Sequence, residues 1–249
     1  IERLDLPDSV ASIGEGAFMN TGIKAVSLPS GLTEIAPSLF MNCSRLERIE
    51  LPSTIITVGS RAFEACRTLS DIGFSENIIL IEDYSFAYCS SLTAVALPGG
   101  TEEIGEYSFY NCVMLESVEF NDALKKIGGN AFGYCMGLKA VYLPSDMEEL
   151  GAYAFYNCGA LETIRLPDNI AAVNDYCFAH CSSLTGIKLP IGVKKIGANA
   201  FRYCASLKEI ELPTTVEELG EEAFYRCGAL TSVTLSDNIG NISPYCFAY

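Results

Sequence analysis

The sequence predicts a solenoid of about eleven coils of 23 residues, mostly β-strand and loop. A parallel β-sheet is expected on one face and short helical or 3₁₀ turns on the other. Three observations carry this. Phenylalanine recurs at 18, 40, 63, 86, 109, 132, 155, 178, 201, 224 and 247, a step of 22 once and of 23 thereafter. A unit C-x-x-L-x-x-[IV]-x-L-P-x-x-V-x-x-I-G-x-x-A-F-x-x-C aligns on that period. Its leucine slot holds Ile1, Ile23, Leu46, Leu69, Leu92, Leu115, Leu138, Leu161, Leu184, Leu207 and Leu230. Nine of the eleven cysteines, from Cys43 to Cys227, share one further slot. Because the pattern runs without a break, residues 1–249 are expected to form a single domain.

Each element follows from the unit in order. Leu161, Ile164 and Leu166 end in alternation, which a half-buried strand produces because successive side chains point to opposite faces. Proline then closes the strand, as at Pro144, Pro167 and Pro190, since it has no backbone donor for a ladder. A second apolar pair, such as Val193 and Ile196, leads to a glycine that is expected to permit a turn. The segment A-F-x-x-C is too short for a regular helix and reads as one helical or 3₁₀ turn with Phe and Cys inward. Strands about 4.8 Å apart make the array roughly 50 Å long.

Composition narrows the function classes. About half the residues are apolar and the formal net charge is −15, which disfavours nucleic acid and anionic membranes by repulsion. No apolar run approaches the ~18 residues needed to cross a bilayer, so no membrane insertion is expected in this segment. Residues 1–20 lack the basic start and apolar stretch of a signal peptide.

The cysteines read as a ladder of buried, reduced thiols, although neighbouring rungs would lie within disulfide range. The run CFAHC, Cys177 to Cys181, holds the lone histidine and offers three zinc-ligand types in one turn. The repeat explains each of them separately. Cys181 is a ladder rung, Cys177 takes the slot of Ala154 and Ala200, and His180 takes the outward slot of Asn157 and Tyr203. No metal, cofactor or catalytic residue is therefore expected, since His180 has no nucleophile or acid placed beside it outside the repeat. Glu102–Glu103, Lys125–Lys126, Glu148–Glu149, Lys194–Lys195 and Glu217–Glu218 share two slots and read as cross-coil ion pairs that resist slippage by one coil.

Binding is expected where the repeat leaves residues free. The outward centre of the strand face runs Asp5, Ser27, Glu50, Gly73, Ala96, Glu119, Tyr142, Arg165, Lys188, Glu211 and Thr234. Its stretch Glu119, Tyr142, Arg165, Lys188, Glu211 is the candidate ligand-binding patch, because Tyr and Arg anchor many interfaces. Twelve of thirteen tyrosines lie within three residues of a repeat phenylalanine and make a second surface, expected chiefly to cover the core.

The strand core L-x-x-[IV]-x-L is that of leucine-rich repeats. With the proline after the strand, I-G-x-x-A-F and N-C or Y-C, the unit resembles the BspA-like class over essentially the whole chain. The resemblance implies an α/β-type, right-handed leucine-rich-repeat solenoid in a secreted or surface-exposed bacterial protein. It also implies an adhesion or protein-interaction role, binding host or microbial proteins, or glycans, with a host matrix protein, a cell-surface protein or another microbial cell as partner. A structural spacer that presents another domain is the alternative. The chain begins inside a coil and ends at Tyr249 without a polar cap, so it reads as a fragment of a longer array.

Overall fold

The structure is a computed structural model that describes residues 2–249. Ile1, expected in the first leucine slot, lies outside the described residues. The chain winds as a parallel β-solenoid, with eleven passes of the strand face and so about ten full turns between the first pass and the last. Every paired residue lies 23 positions from its partner, except in the first step, where Arg3 to Asp5 pair with Ala25 to Ser27 at a spacing of 22. The shorter step seen in the phenylalanine series is thus absorbed between the first two coils.

Each coil carries two lines of strand. The expected sheet consists of three-residue strands such as Ala140–Tyr142 and Thr163–Arg165, which join in parallel pairs rather than in one continuous sheet. Linking bonds such as Lys139 N–H to Glu116 O, 3.3 Å, carry the ladder from one pair to the next. The second line is the apolar pair before the glycine. It forms two-residue strands, from Glu34–Ile35 through Lys126–Ile127 to Glu149–Leu150, in a six-stranded parallel sheet. Its inward residues, Ile35, Val58, Ile81, Ile104, Ile127 and Leu150, are buried in one column, so even two residues per coil suffice to tie the stack.

The expected helical or 3₁₀ turns are absent among the described residues, and the backbone shows why. In every coil the residues two before and two after the repeat phenylalanine have positive φ, as in Tyr153 at 60° and Asn157 at 58°. Two left-handed residues in five cannot continue a helix, whose φ must stay near −63°. Hydrogen bonding alternates instead. Tyr153, Phe155 and Asn157 donate forward to Asp175, Cys177 and Ala179 of the next coil at 2.9, 3.0 and 2.8 Å. Tyr156 and Cys158 donate back to Tyr153 and Phe155 at 2.9 and 3.3 Å. The corner is therefore an inter-coil ladder interleaved with single turns, its backbone donors satisfied alternately by the next coil and by the residue three back.

The I-G glycines also serve a different end from the one expected. None of them has a positive φ, but a Cβ on Gly151 would stand 2.4 Å from the backbone nitrogen of Gly129, and one on Gly220 would stand 2.3 Å from that of Ala198. The glycine lets neighbouring coils touch at the corner, as it does wherever backbones approach closely.

The core is built from columns. The phenylalanines stack from Phe18 to Phe247 with ring centroids 5.1–5.9 Å apart and nearly parallel planes in most steps. Those from Phe40 to Phe224 are fully buried. Beyond burial, each such pair is worth about 0.5–1.5 kcal/mol. No described helix is long and apolar enough to cross a membrane.

Candidate interaction surface

Cysteine chemistry is contained within the wall. All eleven thiols are buried, and each ladder thiol meets the carbonyl oxygen of the phenylalanine one coil back, from Cys43 on Phe18 at 3.0 Å to Cys227 on Phe201 at 3.1 Å. Burial pushes the thiols of Cys112, Cys181 and Cys227 up to about 12, far from the thiolate that a nucleophile or metal ligand needs. At CFAHC the residues separate. Cys177 and Cys181 lie in the core, while the His180 ring stacks on Tyr203 at 4.6 Å and meets Tyr156 edge-on at 5.5 Å. Burial, and secondarily Arg202, lowers the His180 pKa and favours the neutral ring.

Of the two charged slots the second forms the expected cross-coil pairs, Lys126 with Glu103 at 3.0 Å and Lys195 with Glu218 at 2.9 Å, whereas Lys125 and Lys194 in the first slot pair with no carboxylate among the described residues. The carboxylates of Glu103 and Glu218 raise the pKa of Lys126 and Lys195. These groups are half-exposed, so each pair contributes about 1 kcal/mol at most.

On the tyrosine side, one ring per coil runs through Tyr88, Tyr110, Tyr134, Tyr156, His180, Tyr203, Tyr225 and Tyr249 with centroids 4.6–5.9 Å apart. The row zigzags between two slots except where His180 and Tyr203 share one, and a Cβ on Gly133 would sit 3.1 Å from the Tyr110 ring, so the missing side chain makes room for it. Arg202 lies 4.4 Å over Tyr225, and Arg226 lies 5.2 Å over Tyr249. Apart from the two rings at the last coil, Tyr245 and Tyr249, these tyrosines are half-buried and occupied with one another, so the side works mainly as a jacket.

The strand face differs. Glu119, Tyr142, Arg165, Lys188 and Glu211 are all exposed, with Tyr142 at 64%. The ladder sets Tyr142 beside Arg165 and Arg165 beside Lys188 on successive coils. Glu211 occupies the same place one coil after Lys188, and Glu119 one coil before Tyr142. The other basic residues within the three-residue strands are paired: Arg3 with Asp5, and Arg48 with Glu50 and Asp71. Among the described residues, Arg165 and Lys188 have no carboxylate within ion-pair distance, and Lys188 does not close on Glu211.

A groove of about 580 Å³ opens beside them, lined by Gly186, Lys188, Ile191, Glu209 and Glu211 among others. Sequence reasoning missed this groove, although its signal was present. Ile191 is the one apolar residue in a column otherwise held by Asp8, Ser30, Ser53, Glu76, Gly99, Asp122, Ser145, Asp168, Thr214 and Asp237, and it is 80% exposed. Gly186 is likewise the one glycine in its strand column and leaves open space where other coils carry a side chain.

Comparison with known proteins agrees with this architecture. The family described as BspA type leucine-rich repeat region matches in six copies, over residues 1–113, 58–185 and 172–249. A leucine-rich repeat protein from Bacteroides ovatus is 28% identical, with a TM-score of 0.68, over 96% of this chain and 74% of that one. A leucine-rich cell surface protein from Faecalibacterium prausnitzii is 23% identical, with a TM-score of 0.51, over 94% and 87%. The pneumococcal vaccine antigen PcpA is 20% identical, with a TM-score of 0.61, over 96% of this chain and 61% of that one. No protein in the curated collection matches. With the family pattern spanning the chain and the coil geometry that such repeats build, the protein belongs to the BspA-type leucine-rich-repeat family.

Proposed function

We propose that this solenoid is a non-catalytic, extracellular interaction or adhesion module of a bacterial cell-surface protein, and that it binds a protein partner through the strand face at Glu119, Tyr142, Arg165, Lys188 and Glu211. The observation that carries the reading is the neighbouring pair Arg165 and Lys188, exposed and without ion-pair partners on a chain of net charge −15. A chain with an excess of carboxylates pairs its other strand cations internally, and a pair left open is free to meet a partner. Tyr142 adds a large exposed ring at the same place, a residue type that anchors interfaces. The surface location is supported by similarity to proteins described as a cell surface protein and as a vaccine antigen.

A second reading has its own observation. The unbroken phenylalanine stack and the uniform register make a stiff rod, which suits a spacer that holds another domain away from a cell. Solid-phase capture of extracellular-matrix proteins and of whole cells separates the two. Binding that is lost on R165E with K188E supports the interaction role. No capture, or capture indifferent to these substitutions, supports the spacer.

A further inference from the structure

Resting on that reading, we infer that the strand face recognises a short acidic protein segment with basic flanks rather than a polyanion. Arg165 and Lys188 stand on adjacent coils, about 4.8 Å apart along the stack, and can accept one or two carboxylates. Glu119 and Glu211 lie on the same column, four coils from each other, roughly 19 Å. They close the cationic stretch at both ends. A ligand with negative charge throughout meets repulsion once it passes either glutamate, whereas a segment with acids at its centre and bases on either side pairs along the whole length.

The groove decides between two sources of negative charge. Ile191, 80% exposed at its edge, offers apolar contact, and Gly186 leaves room beside it for a side chain. A protein segment can place an aliphatic residue there, next to its carboxylates. A sulfated glycan offers between its charges only ring C–H faces and acetyl methyls, a poorer match to an exposed isoleucine than an aliphatic side chain, so the surface favours the protein.

The test uses the whole chain over sensors that carry the peptide acetyl-Lys-Leu-Glu-Glu-Leu-Lys-amide, the same peptide with Gln for each Glu, or heparin. The inference expects binding to the first surface to exceed that to the other two by about tenfold or more. It expects R165E with K188E to remove that binding, and E119K with E211K to raise heparin binding while lowering the preference for flanking bases. Heparin bound as well as the acidic peptide by the native chain overturns the inference, as does peptide binding that survives the double reversal. Capture of a matrix protein through Arg165 and Lys188 without any peptide binding refutes the bracketed acidic segment alone. Failure to capture any protein refutes the reading on which it rests.

Discussion

The thiol of Cys158 donates to the carbonyl oxygen of Phe132, 3.2 Å away in the coil before. The same bond recurs down the ladder at 3.0–3.3 Å, so the slot selects a residue that is small, apolar and still able to donate. Thr21 fills the slot in the first coil and reaches Cys43 Sγ at 3.3 Å and Phe18 O at 2.8 Å, which keeps the donor function where the repeat is shorter. Cys158→Ala loses both the bond and the volume of a buried sulfur. It should cost about 1–3 kcal/mol in urea unfolding, with no change in partner binding.

Stability should fall steeply in alkali. The ladder thiols from Cys66 to Cys227 are raised by burial, with Cys112, Cys181 and Cys227 at about 12. Unfolded thiols titrate near 8.5, as is usual for cysteine. Below that pH both states are protonated and the full stability is present. Above it the unfolded chain sheds protons that the folded chain keeps, so stability is lost as pH climbs toward 12, at about 1.4 kcal/mol per pH unit for each thiol. Urea midpoints measured between pH 7 and pH 11 should be flat to about pH 8 and then drop. A thiol-labelling reagent at neutral pH should modify none of the eleven until the protein is denatured.

Corner glycines should tolerate no side chain. Gly151→Ala places a methyl 2.4 Å from the Gly129 nitrogen and should cost about 1–3 kcal/mol by forcing two coils apart, whereas Gly99→Ala, with open space around it, should be neutral or slightly stabilising. Thermal unfolding of the two variants side by side gives the comparison.

The left-handed corners make a matching prediction. Asn157 has φ 58°, which asparagine tolerates and β-branched residues do not. Asn157→Val should destabilise by about 1–2 kcal/mol or more, and Asn157→Gly should leave stability near the native value. Equal effects of the two would mean that the corner does not hold this conformation.

Much of this was legible in the sequence because a repeat reports its own averages. Phe155, Cys158, Leu161, Ile164 and Leu166 are buried as their spacing implies, and Arg165 between them is exposed. What stayed hidden depends on neighbouring coils. Tyr153 and Asn157 are not residues that announce positive φ as glycine does, so the corner read as a helical turn when it is an inter-coil ladder. Gly151 looked like a turn residue because the crowding that excludes a Cβ comes from Gly128 and Gly129, 23 and 22 positions earlier. Lys195–Ile196 is too short to show strand periodicity, and only stacking makes it a strand. On the strand face the five residues were legible as a column. That Lys188 and Glu211 stay apart while Lys195 and Glu218 close at 2.9 Å depends on side-chain geometry, which periodicity does not carry.

The most direct measurement is a binding titration of a captured matrix protein or cell surface against three forms of the array: native, R165E with K188E, and K194E, which changes an exposed charge outside the strand-face column. The account predicts that the strand-face double reversal weakens binding by about tenfold or more while K194E leaves it within about twofold. Equal affinity for all three forms would contradict it and leave the solenoid as a spacer.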